Sequence, residues 1–530
     1  MISFLLVMAL PVSAADSSLL ISRPTTALVN EEVELKPIAG HHFNVEAPQK
    51  CGAEKAGSVT PRRFRCQMRA AGKVKVTASV CDDAKTFCRQ ERFDVKVGGN
   101  AWKKITRAKQ PPAKSHSSPP GFLTNNTDKA LARAKREHAP IFVHFFGIWC
   151  PPCNMLEEGV YPTEKFKKAS AGYVKLALDA DSELSWDWKA RYKIGGYPTL
   201  LVLDENGQEV ARAVGYRSPD ALKDFLAEAK SLMREPLDRV TDAIALSKSD
   251  ENGERRARVA RWRLERGEYD AAEAAASTAP EARREALKAR MARASKEDDA
   301  PALTAALKVL TAELPDDAEF TDWAVQLAER DQPAATALID AVRASADRWA
   351  IDPGLSAHGM VPGDIRAFHA SYLEALGREA DAKAVWFLAA EAYDAQTADS
   401  QLVLPRGANL ERAYCLQKAG RLDDARALYA SLITAYPDEF TFHYGYGRLL
   451  LEQKDYPAAL NSARSAVKTG YGDNWLRAVA LEAKALKALN RKTEAARSID
   501  AALAEAAAPK STAVRTHRYL ADLRRLRAEL

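Results

Sequence analysis

The sequence predicts a multidomain chain: a small β-sandwich, then an α/β domain, then an all-α solenoid. Three observations predict it. Residues 16–100 alternate apolar and polar side chains at period two, as half-buried strands do. Residues 121–234 alternate strand-like and helix-like segments. Residues 235–530 are alanine-rich and helical in pattern, and a short unit recurs within them. At 530 residues the chain is too long for one core, so several domains are expected.

The chain opens "MISFLLVMALPVSAADSS", with an apolar run from Ile2 to Leu10 and small residues at Val12-Ser13-Ala14. This is the pattern of a secretory signal peptide over residues 1–15, without the usual Lys or Arg near Met1. The run is too short to span a bilayer, which takes roughly 20 apolar residues. No other segment reads as a membrane span. An exported protein is expected, with the bacterial periplasm as its compartment. The net charge of +6 is spread over interleaved acidic and basic residues. No basic stripe carries aromatics, so nucleic acid is not an expected partner.

The segments "EVELKPI", "GKVKVTASV" and "ERFDVKV" each alternate. Val74, Val76, Ala78 and Val80 share one face of the second. Phe93, Val95 and Val97 share one face of the third. A β-sandwich over residues 16–100 follows. Next comes "KQPPAKSHSSPPG", rich in Pro and Ser, in a linker spanning residues 101–120. Extended at about 3.1 Å per residue, the quoted stretch reaches on the order of 40 Å.

In residues 121–234, "DKALARAKREH" is an amphipathic helix with Asp128 at its start, and "PIFVHFF" is a buried strand. "PPCNMLEEGV" begins a helix, "YVKLALDAD" is a strand and "SWDWKARY" a helix. "PTLLVLDENGQEVARAVG" is a hairpin turning at Glu205-Asn206-Gly207, where Asn-Gly suits the turn's positive φ angles. Cys150 and Cys153 therefore sit where a strand hands over to a helix. Pro151 occupies the first helical turn, where its missing N–H and fixed φ cost nothing. The helix N-terminus favours a thiolate at Cys150. Cys153 lies one turn further in and is expected to be the less exposed. It can attack a mixed disulfide formed at Cys150, which is thiol–disulfide exchange. A static structural disulfide is the alternative. A zinc knuckle would need two more ligands, and neither a second Cys-x-x-Cys nor a His pair at zinc-like spacing is present. No metal and no cofactor are expected.

The segments "IFVHFFGIWCPPC" and "IGGYPTLLVLDENGQEVARAVGY" with the closing helix resemble a thioredoxin domain over residues 121–234. The resemblance implies Cys150 as the attacking thiol and Cys153 as the resolving one. It implies that Trp149 shapes the surface beside them. It also implies that Pro198 is cis and packs against the pair, with Tyr197, Pro151 and Thr199 binding an extended substrate. The family often carries a buried acid six residues before the first cysteine; here that position is His144. A histidine there either relays a proton near neutral pH or fills the core. Tyr197 is larger than the residue usual before the proline, which reshapes the substrate groove.

In residues 235–530, "GEYDAAEAAAS", "GREADAKAVWF", "GRLDDARALYA", "KDYPAALNSAR" and "NRKTEAARSID" are variants of one unit, and Gly420 to Lys454 is a step of 34 residues. The unit resembles the tetratricopeptide repeat, clearly over Arg406–Ala504 and weakly between Glu281 and Met360. Such units cannot bury a core alone and so stack. A generic helical solenoid without a partner is the alternative.

The other five cysteines are Cys51, Cys66, Cys81, Cys88 and Cys415. "AGHHFNVEAP" and "VTASVCDDAKTFCRQE" resemble the N-terminal periplasmic domain of the transmembrane thiol:disulfide interchange proteins, the DsbD type. That domain is an immunoglobulin-like sandwich with a cysteine pair on a hairpin near its end. The resemblance implies that Cys81 and Cys88 are a possible second redox pair, which leaves Cys51–Cys66 as a structural disulfide. Four cysteines allow three pairings. Cys415 reads as a buried inert thiol.

The function expected is an exported thiol–disulfide oxidoreductase that exchanges protein disulfides through its Cys-Pro-Pro-Cys pair. The repeats would dock client or partner proteins, and an external thiol reductant protein would supply electrons. A second reading is a tetratricopeptide scaffold whose thioredoxin domain only binds. A third is electron exchange between Cys150 and the Cys81/Cys88 pair within one chain.

Overall fold

The structure is a computed structural model that describes residue 20, residues 26–28 and 32–37, most of 40–98, and residues 119–233, 253–276, 279–397, 402, 404–506 and 514–530. The expected signal peptide and nearly all of the expected linker lie outside these. The chain divides into two compact units, one holding the N-terminal strands and the other the α/β domain with the helical region.

In the first unit, β1 (Thr26–Leu28), β3 (His41–Phe43), β4 (Lys50–Cys51), β5 (Glu54–Lys55), β8 (Gly72–Asp82) and β9 (Cys88–Gly98) form one sheet. Strands β2 (Glu32–Leu35), β6 (Ser58–Thr60) and β7 (Arg63–Gln67) form another. The two share a core that includes Leu35, Phe43, Phe64, Cys66, Val76, Val80 and Val95. Phe43 of one sheet meets Phe64 of the other edge to face, 5.8 Å between centroids. A disulfide joins Cys51 on β4 to Cys66 on β7 and so crosses between the sheets. A second joins Cys81 to Cys88, which face each other at the end of the β8–β9 hairpin.

The second unit begins with a five-stranded sheet in the order β10 (Phe122–Thr124), β12 (Val174–Asp179), β11 (Ile141–Phe146), β13 (Thr199–Leu203), β14 (Glu209–Val214). β11 is central, parallel to β12 and antiparallel to β13, and every residue in it is buried. A strand buried on both faces reads as a near-continuous apolar run, which is what "IFVHFF" is. Alternate residues serve the two faces. Ile141, Val143 and Phe145 pack with α1 (Thr127–Glu137) and α4 (Glu183–Arg191), through Ala130, Ala134 and Trp188. Phe142 packs with Leu156, with Phe166 of α3 (Glu164–Ala169) and with Leu222 and Leu226 of α5 (Pro219–Leu232). The short edge strand β10 carries no alternation long enough to be read from the sequence; Asn125 at its end donates from its backbone N–H to the Ala177 carbonyl at 2.9 Å.

The helical region runs from Gly253–Glu265 to Val514–Ala528. Its core is not separate from that of the α/β domain. One apolar cluster extends from Phe142, Leu156 and Leu226 through Leu287, Trp323 and Trp386 to Cys415 and Tyr429. Packing is therefore continuous between the α/β domain and the helices described from Gly253 onward, and the expected boundary at residue 234 lies outside the described residues. Among the described residues, no helix is long and apolar enough to cross a membrane.

Candidate functional site at the Cys-Pro-Pro-Cys turn

α2 (Pro151–Met155) starts directly after Cys150, which is its N-cap residue with extended backbone (φ −97°, ψ 104°). Pro151 takes the first helical position. The Cys153 backbone N–H donates to Cys150 Sγ at 3.3 Å. The sulfur of Cys150 thus accepts from one N–H of a helix start, where a thiolate is favoured. Asn154 Nδ2 donates to the Ile148 carbonyl at 3.1 Å and ties the turn to the helix. Cys150 and Cys153 are joined by a disulfide. Beyond Met155 the helix loosens to a π-type turn over Leu156–Val160, with Tyr161 N–H donating to the Leu156 carbonyl at 2.9 Å.

The Tyr197–Pro198 peptide is cis. Pro198 and Thr199 are buried, and Thr199 Oγ1 donates to the Gly196 carbonyl at 2.8 Å. Tyr197 meets Trp149 edge to face at 5.6 Å and packs against the cluster that holds Cys150 and Cys153. The Trp149 indole N–H donates to Asp181 Oδ2 at 2.7 Å.

His144 projects from β11 into the same face as Phe142 and stands 5.4 Å from the Tyr161 ring, edge to face. It is wholly buried, and neither ring nitrogen has a hydrogen-bond partner among the described residues. Burial alone pushes its pKa down to about 3. The imidazolium that a proton relay would pass through is therefore disfavoured at neutral pH.

Cys153 is fully buried and Cys150 is only 2% exposed, so both sulfurs are covered. The reason is the helical region. Phe440, Ala466 and Ala478 lie in one apolar cluster with both cysteines, and Tyr444, Val467 and Tyr471 pack against it.

Polar groups that the sequence did not single out complete this contact. Glu158 accepts from the backbone N–H of Arg406 at 2.9 Å and from its Nε at 2.6 Å. It thereby caps the helix Arg406–Lys418 from another part of the fold. Arg406 also faces Glu157 at 3.4 Å and Glu439 at 3.6 Å. Burial raises the Glu157 pKa to about 8, against the pull of Arg406. Asp181 accepts from Asn474 Nδ2 at 2.8 Å and stands 3.6 Å from Arg515. Tyr471 donates its hydroxyl to Asp179. Burial raises both Asp179 and Asp181, and each carboxylate's neighbours oppose or add to that. "CNMLEE" hinted at this, because two acids follow an apolar turn. Nothing in the sequence pointed to Arg406 or Arg515.

In the first unit, Cys88 is exposed and Cys81 is buried. His42 lies opposite Cys81 in register and its Nδ1 stands 3.2 Å from Asp83. Cys415 is free and buried, and burial raises its pKa far above the ordinary thiol value.

Comparison with known proteins gives two domain families. A Thioredoxin-like domain matches residues 127–230, and a Tetratricopeptide repeat matches residues 410–474. The chain is 24% identical to "Disulfide bond reductase DsbH" of Chlamydia pneumoniae over 117 residues, covering 20% of this chain and 69% of the relative. It is 28% identical to "Thiol-disulfide oxidoreductase ResA" of Bacillus cereus over 129 residues, covering 20% and 73%. With "Thiol:disulfide interchange protein DsbD 2" of Pseudomonas aeruginosa it shares 30% over 109 residues, 19% of this chain but 18% of that protein.

Proposed function

We propose that this chain, a thioredoxin-like domain joined to tetratricopeptide repeats, is a thiol–disulfide oxidoreductase acting on protein disulfides. The observation that carries the reading is the cysteine pair itself: a strand-to-helix turn with Cys150 as N-cap, its sulfur accepting from the Cys153 N–H. In the reducing direction, the Cys150 thiolate attacks one sulfur of a client disulfide. A Cys150–client bond forms, and the other client sulfur leaves as a thiolate that takes a proton. Cys153, once deprotonated, attacks Cys150 Sγ. The intramolecular disulfide forms, and the first client sulfur leaves as a thiol. Two electrons and two protons have passed to the client, and an external dithiol protein restores the pair. Trp149, Tyr197, Pro198, Pro151 and Thr199 form the substrate rim in this reading. His144 serves as a neutral packing group rather than a relay.

Replacing Cys150 by Ala is expected to abolish insulin disulfide reduction. Replacing Cys153 by Ser is expected to accumulate mixed disulfides, read by non-reducing electrophoresis. Full activity in Cys150→Ala would end the proposal.

A second reading draws on the buried state of Cys150: the domain binds, and the repeats are a scaffold. A measured potential for the 150/153 pair too low to exchange with glutathione- or thioredoxin-like couples would favour it. Docking of clients by the repeats is supported by the tetratricopeptide match over residues 410–474. Export to the periplasm is supported by the Cys51–Cys66 and Cys81–Cys88 disulfides, which persist in oxidising compartments. We also assign the first unit an immunoglobulin-like fold and make Cys81–Cys88 a second exchange pair, with Cys88 its exposed sulfur. A Cys150–Cys81 or Cys150–Cys88 disulfide in the Cys153→Ser protein, found by peptide mapping, is the expected sign of exchange within the chain.

A further inference from the structure

The first turns of four helices, Arg406–Lys418, Phe440–Glu452, Gly472–Ala488 and Val514–Ala528, bear on the redox turn. Gly407 approaches so closely that a β-carbon there would stand 2.3 Å from the Pro151 carbonyl oxygen. A β-carbon on Gly472 would stand 2.4 Å from the Asp181 carbonyl oxygen. Thr441 Oγ1 reaches the Ile148 carbonyl at 3.4 Å. The Arg515 guanidinium lies over the Trp149 ring at 4.5 Å. The acids around the cysteines meet these same ends: Glu158 on the Arg406 and Gly407 N–H groups, and Asp181 on Asn474 and Arg515. Negative groups facing helix N-termini are the electrostatically favoured pairing. Apolar packing, close backbone approach and charge matching thus converge on the redox turn and cover Trp149, Pro151 and Tyr197 of the proposed substrate rim.

We infer that these helix ends are specificity-determining elements of the exchange site. They occupy the substrate rim and hold protein disulfides away from Cys150 until they withdraw. The consequence for turnover rests on the exchange reading above; the cover itself is measurable without turnover. Gly407→Ala is the direct probe. It forces the helix end off Pro151 and removes no chemistry, and alanine is the better helix former.

The full chain is reduced with excess dithiothreitol, desalted and treated with iodoacetamide. Labelling of Cys150 is followed by peptide mass and insulin reduction is measured in parallel. Gly407→Ala is expected to speed Cys150 labelling at least tenfold and to raise the insulin rate. Arg515→Ala, which touches no backbone, is expected to speed labelling at least threefold. Faster labelling with no insulin reduction by any form would keep the cover and sink the exchange reading. Wild-type labelling rates in Arg515→Ala, and in Gly407→Ala with native circular dichroism, would overturn the inference. If Gly407→Ala does not fold, Arg515→Ala decides alone.

Discussion

His144 stands where an acid was expected and behaves unlike one. Its folded pKa of about 3 lies below the ordinary 6.5. Between those values the unfolded chain binds a proton that the folded one refuses, so stability falls as pH drops from about 6.5 towards 3. At pH 4 this amounts to roughly 3 kcal/mol relative to pH 7. His144→Leu is expected to flatten that part of the curve, measured as urea midpoints of wild type and variant between pH 7 and 4. Its pH–rate profile for insulin reduction should match wild type; loss of one limb would restore the relay. Arg406 is the opposite case, a half-buried cation facing Glu157, Glu158 and Glu439. Arg406→Met leaves buried carboxylates uncompensated and is expected to cost about 3–5 kcal/mol in urea unfolding. The cysteines were legible because a motif and its position agree. Arg406 was not, because a charge that pairs across 248 positions leaves no local trace.

Among the elements, strands and helices were readable where one periodicity dominated. β8 and β9 alternate cleanly, and β11 is an apolar run. β10 was missed, since three residues pair in parallel with β12 without a pattern of their own. The π-type turn after Met155 was also invisible, because its apolar spacing reads as ordinary helix. The Cys51–Cys66 bond ties the six-stranded sheet, through the two-residue strand β4, to the three-stranded one. It closes a loop with a sequence separation of 15, which corresponds to about 3 kcal/mol in the chain-entropy view. Cys51→Ala with Cys66→Ala is expected to lower the stability of the first unit by about that much, read from the urea midpoint of its own transition.

For the whole molecule, the sequence divides the chain by composition, whereas packing divides it differently. Alternation of helix and strand gives way to helix alone near residue 234, yet the apolar cluster runs on from Leu226 and Leu232 to Trp323 and Trp386. Contacts of that reach depend on three-dimensional neighbours and cannot be read from periodicity. The second unit should therefore melt cooperatively. Calorimetry is expected to give one transition for the α/β domain and the helical region together, with matching van't Hoff and calorimetric enthalpies. Two resolved transitions within that unit would show that the shared core is energetically slight.

Stacked repeats ordinarily gain or lose whole units over evolutionary time, because each unit touches only its neighbours. Here successive units also meet a fixed landmark: Gly407 at Pro151, Thr441 at Ile148, Asn474 and Arg515 at Asp181. Duplicating or deleting one unit between Arg406 and Arg515 would carry every later meeting point out of step. The number of repeats in this stretch is therefore a measured length, set by the breadth of the surface it spans.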